Sequence, residues 1–436
     1  MAPNFKFNFS RMKKRSAARY MAMADDHKLP TSISTEDEAL IRALQDFIAP
    51  LVHEKQHRDT GAKPLGLEAT LLICALRSFV SRTMEKPAGE GAPVVELGPY
   101  REPTGPVSLV TTRAPEGNTT EIVRRENSEE PPTVLLNRAK VFHSLREHVF
   151  NKMPIRMLRI TPHGNNLQLS LIERGTIYTH LVPFIEAKVE DPQYNPRYLG
   201  IFERLETEDE AIDRLIRQNT GYAILSHTWL RTSPGEITYG DWKNKAFSAK
   251  DLGYQKLQNF CRIAWTDYGL TLGWMDTLCI NKESSTELDE SIRSMFNWYE
   301  RAKICIIHLA EATTITEMYS DPWFTRGWTL QELLAPDTIK FYNRNWEPFI
   351  RNPGNDKTDS DEIVEQVLKA TSIEEDELRA YYEAPLSRRM QWAASRQVTR
   401  EEDMAYSLMG IFDVSMSTAY GEGADRAFYR LLQAIL

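Results

Sequence analysis

Between residues 221 and 343, four short apolar runs bounded by turn residues alternate with amphipathic segments, and this alternation constrains the fold more than any other feature. The runs are GYAILSH (221–227), LGWMDTLCIN (272–281), AKICIIHLA (302–310) and TIKFYN (338–343). The first two are separated by LGYQKLQNFCRIAWTDYG, in which Leu257, Phe260, Cys261 and Ala264 share a face at helical spacing. The next gap holds ELDESIRSMFNWYERA, with Leu288, Ile292, Met295, Phe296 and Tyr299 on one stripe. Strands that alternate with helices predict an α/β fold, a parallel sheet covered on both faces with right-handed crossovers. In such sheets ligands bind beyond the carboxyl ends of the strands.

The flanking regions are different in kind. Residues 1–34 carry basic side chains without an acid before Asp25, and we expect a disordered tail. Residues 35–84 read as helical, opening on Thr35 and Glu38 at capping-box spacing. Residues 85–133 are crowded with proline, glycine and acids and read as a linker. Folded sequence resumes at Ala139 with a helix, AKVFHSLREHVF. Then IRMLRI, LQLSLIE and TIYTHLV read as β-type runs of a small antiparallel element. EDEAIDRLIRQ is a further helix. Residues 360–436 are expected to be mainly helical, with a helix beginning near Thr399 and a last one entered through GEG at 421–423. The expected domain is thus 139–436, with an α/β core over 221–345.

Composition removes several functional classes. With a net charge of −8, nothing global points to nucleic acid or an anionic membrane. No uncharged apolar run approaches the roughly 20 residues that span a bilayer. Cys74, Cys261, Cys279 and Cys305 are scattered through apolar runs, without metal-ligand spacing, and read as buried free thiols in a reducing compartment. We expect no metal, a cytoplasmic location and no transmembrane segment. No G-x-S-x-G elbow, P-loop or G-x-G-x-x-G is present.

In a parallel sheet, three groups converge on one edge: Ser226, His227, Thr228 and Trp229 after the first strand, Asp276, Cys279 and Asn281 around the end of the second, and DPWFTRGWTLQELLAP (321–336) after the third. The last stretch carries Trp323, Arg326, Trp328 and Glu332. Trp328 and Glu332 stand four apart, so they share a helix face. A carboxylate in a partly apolar setting can accept from ribose hydroxyls and stabilise positive charge as a glycosidic bond breaks. The competing reading packs both Trp side chains in the core and pairs Glu332 with an arginine. Asp276 reads equally as a site residue or as a cap.

YAILSHTWL, GYQKLQNFCRIAWTDYG, DPWFTRGWTLQELLAP and TREEDMAYSLMGIFDV together resemble the fungal heterokaryon incompatibility (HET) domain family, in order from about Ile155 to the C terminus. That family resembles TIR domains, a flavodoxin-like parallel sheet flanked by helices. Enzymatic TIR domains cleave NAD at the nicotinamide–ribose bond with a Glu in a W-x-x-x-E setting, and WTLQE places Trp328 and Glu332 in that pattern. The resemblance therefore implies Glu332 as the catalytic residue. It implies Ser226, His227 and Trp229 as the nucleotide pocket, with Arg326 and Trp328 on its walls and Asp276 and Asn281 as secondary contributors. NAD would be the substrate, with no cofactor required. The family's biology implies a cell-death effector that forms a homo-oligomer when a protein trigger activates it. The alternative it leaves is a non-enzymatic scaffold.

Overall fold

The computed structural model describes residues 136–436, apart from 165, 200–203, 353 and 436. The expected tail (1–34), helical region (35–84) and linker (85–133), with Cys74, lie outside the described residues.

The chain enters through α1 (Arg138–Lys152), whose Asn137 side chain caps the Lys140 amide. The strands β1 (Arg156–His163) and β2 (Asn166–Glu173) form a tight antiparallel hairpin, and α2 (Arg174–Glu186) follows at once. Two-residue strands β3 (Tyr198–Leu199) and β4 (Arg204–Leu205) pair with each other. Helix α3 (Glu208–Asn219) starts on a Thr207–Glu210 capping box. The core unit then runs β5 (Ala223–His227), α4 (Tyr239–Asn244), α5 (Leu252–Thr266), β6 (Leu272–Trp274), α6 (Asp276–Cys279), α7 (Ser285–Glu300), β7 (Ile304–His308), α8 (Thr329–Leu334) and β8 (Ile339–Tyr342). Helices α9 (Asp361–Thr371), α10 (Glu375–Arg379), α11 (Leu386–Ala393), α12 (Asp403–Tyr406) and α13 (Ala424–Ile435) complete the chain.

One six-stranded sheet runs in the order β2-β1-β6-β5-β7-β8. Strands β6, β5, β7 and β8 are parallel, and the β1–β2 hairpin is added antiparallel to the β6 edge. The mixed α/β class is therefore observed. Every residue of β5, β7 and β8 is buried, which explains their unbroken apolar runs. The chain moves from β5 through α5 to β6 on one side, then through α7 back past β5 to β7. Right-handed crossovers in opposite directions put α5 and α7 on opposite faces of the sheet. The reversal creates a switch point between the carboxyl ends of β5 and β7.

Four details differ from the sequence reading. The run 272–281 is not one strand: β6 ends at Trp274 and Asp276 opens the helical turn α6. TIYTHLV lies within α2, because Ile177, Leu181 and Ile185 bury one stripe at four-residue spacing, and that packing overrides β-branched propensity. The antiparallel element is not a separate sheet, because Leu158 and Arg159 pair with Gly273 and Leu272. Near Thr399 the chain forms tight turns around the four-residue α12, with bonds such as Asp403 N to Arg400 O and Met404 N to Glu401 O.

The C-terminal part grips the segment that carries α8. Gly327 N donates to Gln397 O at 2.8 Å and Gln397 N to Thr325 O at 2.6 Å. A Cβ at Gly327 would meet Val398 Cγ1 at 2.5 Å. Gly327→Ala should therefore destabilise the domain by about 1–3 kcal/mol through overpacking. Chemical denaturation checks this, and an unchanged midpoint would mean that Val398 yields freely.

Candidate functional site

Glu332 enters the sheet edge from the first turns of α8, and its carboxyl is buried at 8% exposure. Ser226, near the end of β5, donates its hydroxyl to Glu332 Oε2 at 2.5 Å. Trp323 in turn donates its indole N–H to Ser226 Oγ at 2.8 Å. The Ser226 hydroxyl thus has one donor behind it and one acceptor ahead, which fixes its orientation and that of the carboxyl. Asp321 accepts from Trp323 N at 3.0 Å and sets the turn that places the indole. Burial pushes the Glu332 pKa up to about 7; the Ser226 hydrogen bond, His227 and Arg326 counter it, and Asp276 adds to it.

A second network lies beside the first. His227, the last residue of β5, contacts Asp276 Oδ1 through Nε2 at 3.2 Å and Lys256 Nζ through Nδ1 at 3.0 Å. Lys256 rises from the buried stripe of α5 and also donates to Thr228 O at 3.0 Å and to Glu236 Oε1. Lys256 Nζ and His227 Nδ1 are 3.0 Å apart and cannot both be protonated, so the pair shares one positive charge, while His227 Nε2–H donates to Asp276. Glu236 also accepts from Leu230 N at 2.8 Å, which closes the loop after β5. Burial opposes ionisation of Glu236, but His227 and Lys256 prevail and hold its pKa at about 2. Burial likewise opposes the Asp276 charge, and Lys282 with His227 outweighs it, holding that carboxyl well below the usual carboxylate range.

At the rim, Trp229 is 43% exposed. Its indole N–H donates to Asp276 Oδ2 at 3.0 Å, and Lys282 Nζ reaches the same oxygen at 3.2 Å. Lys282 Nζ stands 3.7 Å and the Arg326 guanidinium 5.8 Å from the centre of the Trp229 ring.

The residues singled out in the sequence are distributed as follows. Ser226 and Glu332 meet directly. His227, Trp229 and Asp276 form the adjoining network, with Arg326 over Trp229. Two residues fall outside the cluster. Asn281 shapes the turn before α7, whose N-cap is Ser284; its Oδ1 accepts from Glu283 N at 3.2 Å and its backbone N donates to Glu287 at 2.7 Å. Trp328 lies beside Asp403, whose charge it favours, and so faces the C-terminal helices. Trp323 supplies the indole at the carboxyl instead. Sequence reasoning left Lys256, Glu236 and Lys282 unassigned. Lys256 was legible as a cation on the apolar stripe of α5, between Gly253 and Phe260. Glu236 carried no local signal, because its partners come from another element.

Among the described residues no group of three His, Cys, Asp or Glu side chains is arranged to hold a metal, and no helix is long and apolar enough to cross a membrane. Cys261, Cys279 and Cys305 are buried free thiols.

Residues 222–317 match the family described as heterokaryon incompatibility protein (HET). The chain is 41% identical over 230 residues to the "Vegetative incompatibility protein HET-E-1" of Podospora anserina. That alignment covers 49% of this chain and 16% of the relative. No solved structure matches the chain significantly. The matched residues 222–317 include β5, α5, β6, α7 and β7, and with them Ser226, His227, Lys256 and Asp276 of the two networks. The similarity thus places residues 222–317 of this chain with the heterokaryon incompatibility (HET) family.

Proposed function

We propose that the HET domain of this chain, residues 139–436, is TIR-like and hydrolyses NAD at the nicotinamide–ribose bond, and that it serves as a cell-death effector in heterokaryon (vegetative) incompatibility. The parallel strands support the fold half of this reading. Taken in chain order they stand second-first-third-fourth across the sheet, the order of flavodoxin-like sheets. The printed name of the relative, a vegetative incompatibility protein, supports the biological half. The chemical half is carried by one observation: a buried carboxyl with a pKa raised to about 7, held by Ser226 and Trp323 at the switch point of a parallel sheet.

In this reading the Glu332 carboxylate accepts from the ribose hydroxyls. Its charge stabilises the oxocarbenium-like centre as the glycosidic bond breaks, and the bonding electron pair leaves with nicotinamide. Water then adds to the sugar and releases a proton. The substrate is NAD or a related nucleotide, in the cytoplasm, and assembly into a homo-oligomer under a protein trigger activates the domain.

A scaffold without enzymatic activity is the second reading, favoured by the 8% exposure of Glu332, since a substrate needs the rim to open. Purified protein is incubated with NAD, with and without a crowding agent, and nicotinamide is followed by chromatography beside Glu332→Gln. Release by the wild type alone supports the hydrolase. Self-association that is equal in both proteins, with no release, establishes the scaffold instead.

A further inference from the structure

We propose that Arg326 and Lys282 form a pyrophosphate-binding pair at the rim, so that the ligand of this edge is a dinucleotide-type molecule and not a nucleoside. The inference rests on the reading that a nucleotide lies here with its ribose at Glu332, and it adds what selects that nucleotide.

Arg326 carries the argument. Its guanidinium offers five N–H donors, yet among the described residues the side chain makes no hydrogen bond and no ion pair; it lies 5.8 Å from the centre of the Trp229 ring. It is half-buried, so much of its hydration is already removed. Of the nearby acids, Glu332 acts on it only at a distance, without an ion pair. Glu236 pairs with Lys256, and Asp276 is taken up by Lys282, His227 and the Trp229 indole. A half-buried cation with unmet donors favours an anion, and the planar fork suits phosphate oxygens.

Lys282 supplies the second charge. Its ammonium has one hydrogen-bonded oxygen, Asp276 Oδ2, and the side chain is 35% exposed, which leaves N–H groups for a ligand. Both cations stand over the same indole, 3.7 and 5.8 Å from its centre. The Trp229 ring is oriented by its N–H bond to Asp276. Two cations beside the same indole suit two linked phosphates, whereas a monophosphate needs only one of them.

The probes are ADP-ribose, inorganic pyrophosphate and adenosine, titrated calorimetrically into the full chain at low salt. The wild type should bind ADP-ribose, pyrophosphate should compete, and adenosine should bind at least tenfold more weakly. Arg326→Ala should weaken ADP-ribose tenfold or more without changing adenosine, and Arg326→Lys should recover part of the loss. Thermal melts confirm folding, and Arg326→Gln replaces the alanine variant if that one melts early. Equal affinity for adenosine and ADP-ribose, or ADP-ribose affinity insensitive to Arg326, overturns the proposal. Nicotinamide release that persists with Arg326-independent affinity keeps the hydrolase and removes the phosphate pair. Arg326-dependent binding without any release does the reverse.

Discussion

Lys256→Met should destabilise the domain by about 3–5 kcal/mol, because it leaves the Glu236 carboxylate buried without its cation. The side chains of Lys256 and Glu236 are 5% and 6% exposed, so solvent cannot replace the lost partner. His227 Nδ1 and Thr228 O also lose their partner. Methionine has comparable length and fills the space, so cavity formation contributes little. In thermal melts the loss should appear as a Tm lower by about 10 °C. Its pH dependence is specific. With Lys256 present, the Glu236 pKa is depressed to about 2, so its contribution is present above the ordinary carboxylate range and lost as pH falls through about 2. Without Lys256 that pKa rises, and the deficit should be larger at pH 8 than at pH 5. A deficit under 1 kcal/mol, or one equal at both pH values, would show that water reaches Glu236.

Glu332→Gln should remove activity and add stability. The Glu332 pKa is raised to about 7 from the ordinary glutamate value of 4.5. Between those values the folded chain holds a proton that the unfolded chain releases. Its contribution is therefore complete below the unfolded value and is lost as pH rises through about 7. At pH 8 the ionised carboxylate then costs about 3 kcal/mol. Glutamine has the same shape and accepts from Ser226, so most of that cost should be recovered in denaturation at pH 8 and little of it at pH 5. Turnover of NAD should fall by about 100-fold or more if the carboxylate stabilises the transition state. Wild-type turnover should rise with pH through about 7 as the carboxyl ionises. A gain in stability with unchanged turnover would leave Glu332 a structural group and sink the catalytic assignment. Lost turnover with no gain in stability would mean that the carboxyl is already solvated in the working protein.

The α/β core was readable because its signals are local. Three of the four strands stand where the apolar runs are, and α5 and α7 follow the 3.6-residue stripe set by Leu257, Phe260, Ile292 and Met295. The second strand was read too long because Met275, Leu278, Cys279 and Ile280 are apolar and can be buried in an extended or a helical segment alike. TIYTHLV was misread for a similar reason: seven residues hold too little periodicity to separate α2 from a strand, and α2 becomes a helix through the burial of Ile177, Leu181 and Ile185.

The site divides along the same line. The sequence by itself determined which edge gathers the candidate residues, because strand order along the chain and the C-terminal-end rule depend on local periods alone. It brought Ser226, His227, Asp276 and Glu332 forward on that basis. Tertiary structure decided the rest. Trp328 and Glu332 share a helix turn, yet Trp328 lies beside Asp403, and Trp323, nine residues before Glu332, reaches the carboxyl through Ser226. Glu236 and Lys256 are 20 residues apart and meet because the loop after β5 folds back onto α5. Side-chain direction, desolvation and the pKa of a buried acid depend on which elements pack against it, and those contacts join residues up to 106 positions apart, as Ser226 and Glu332 are.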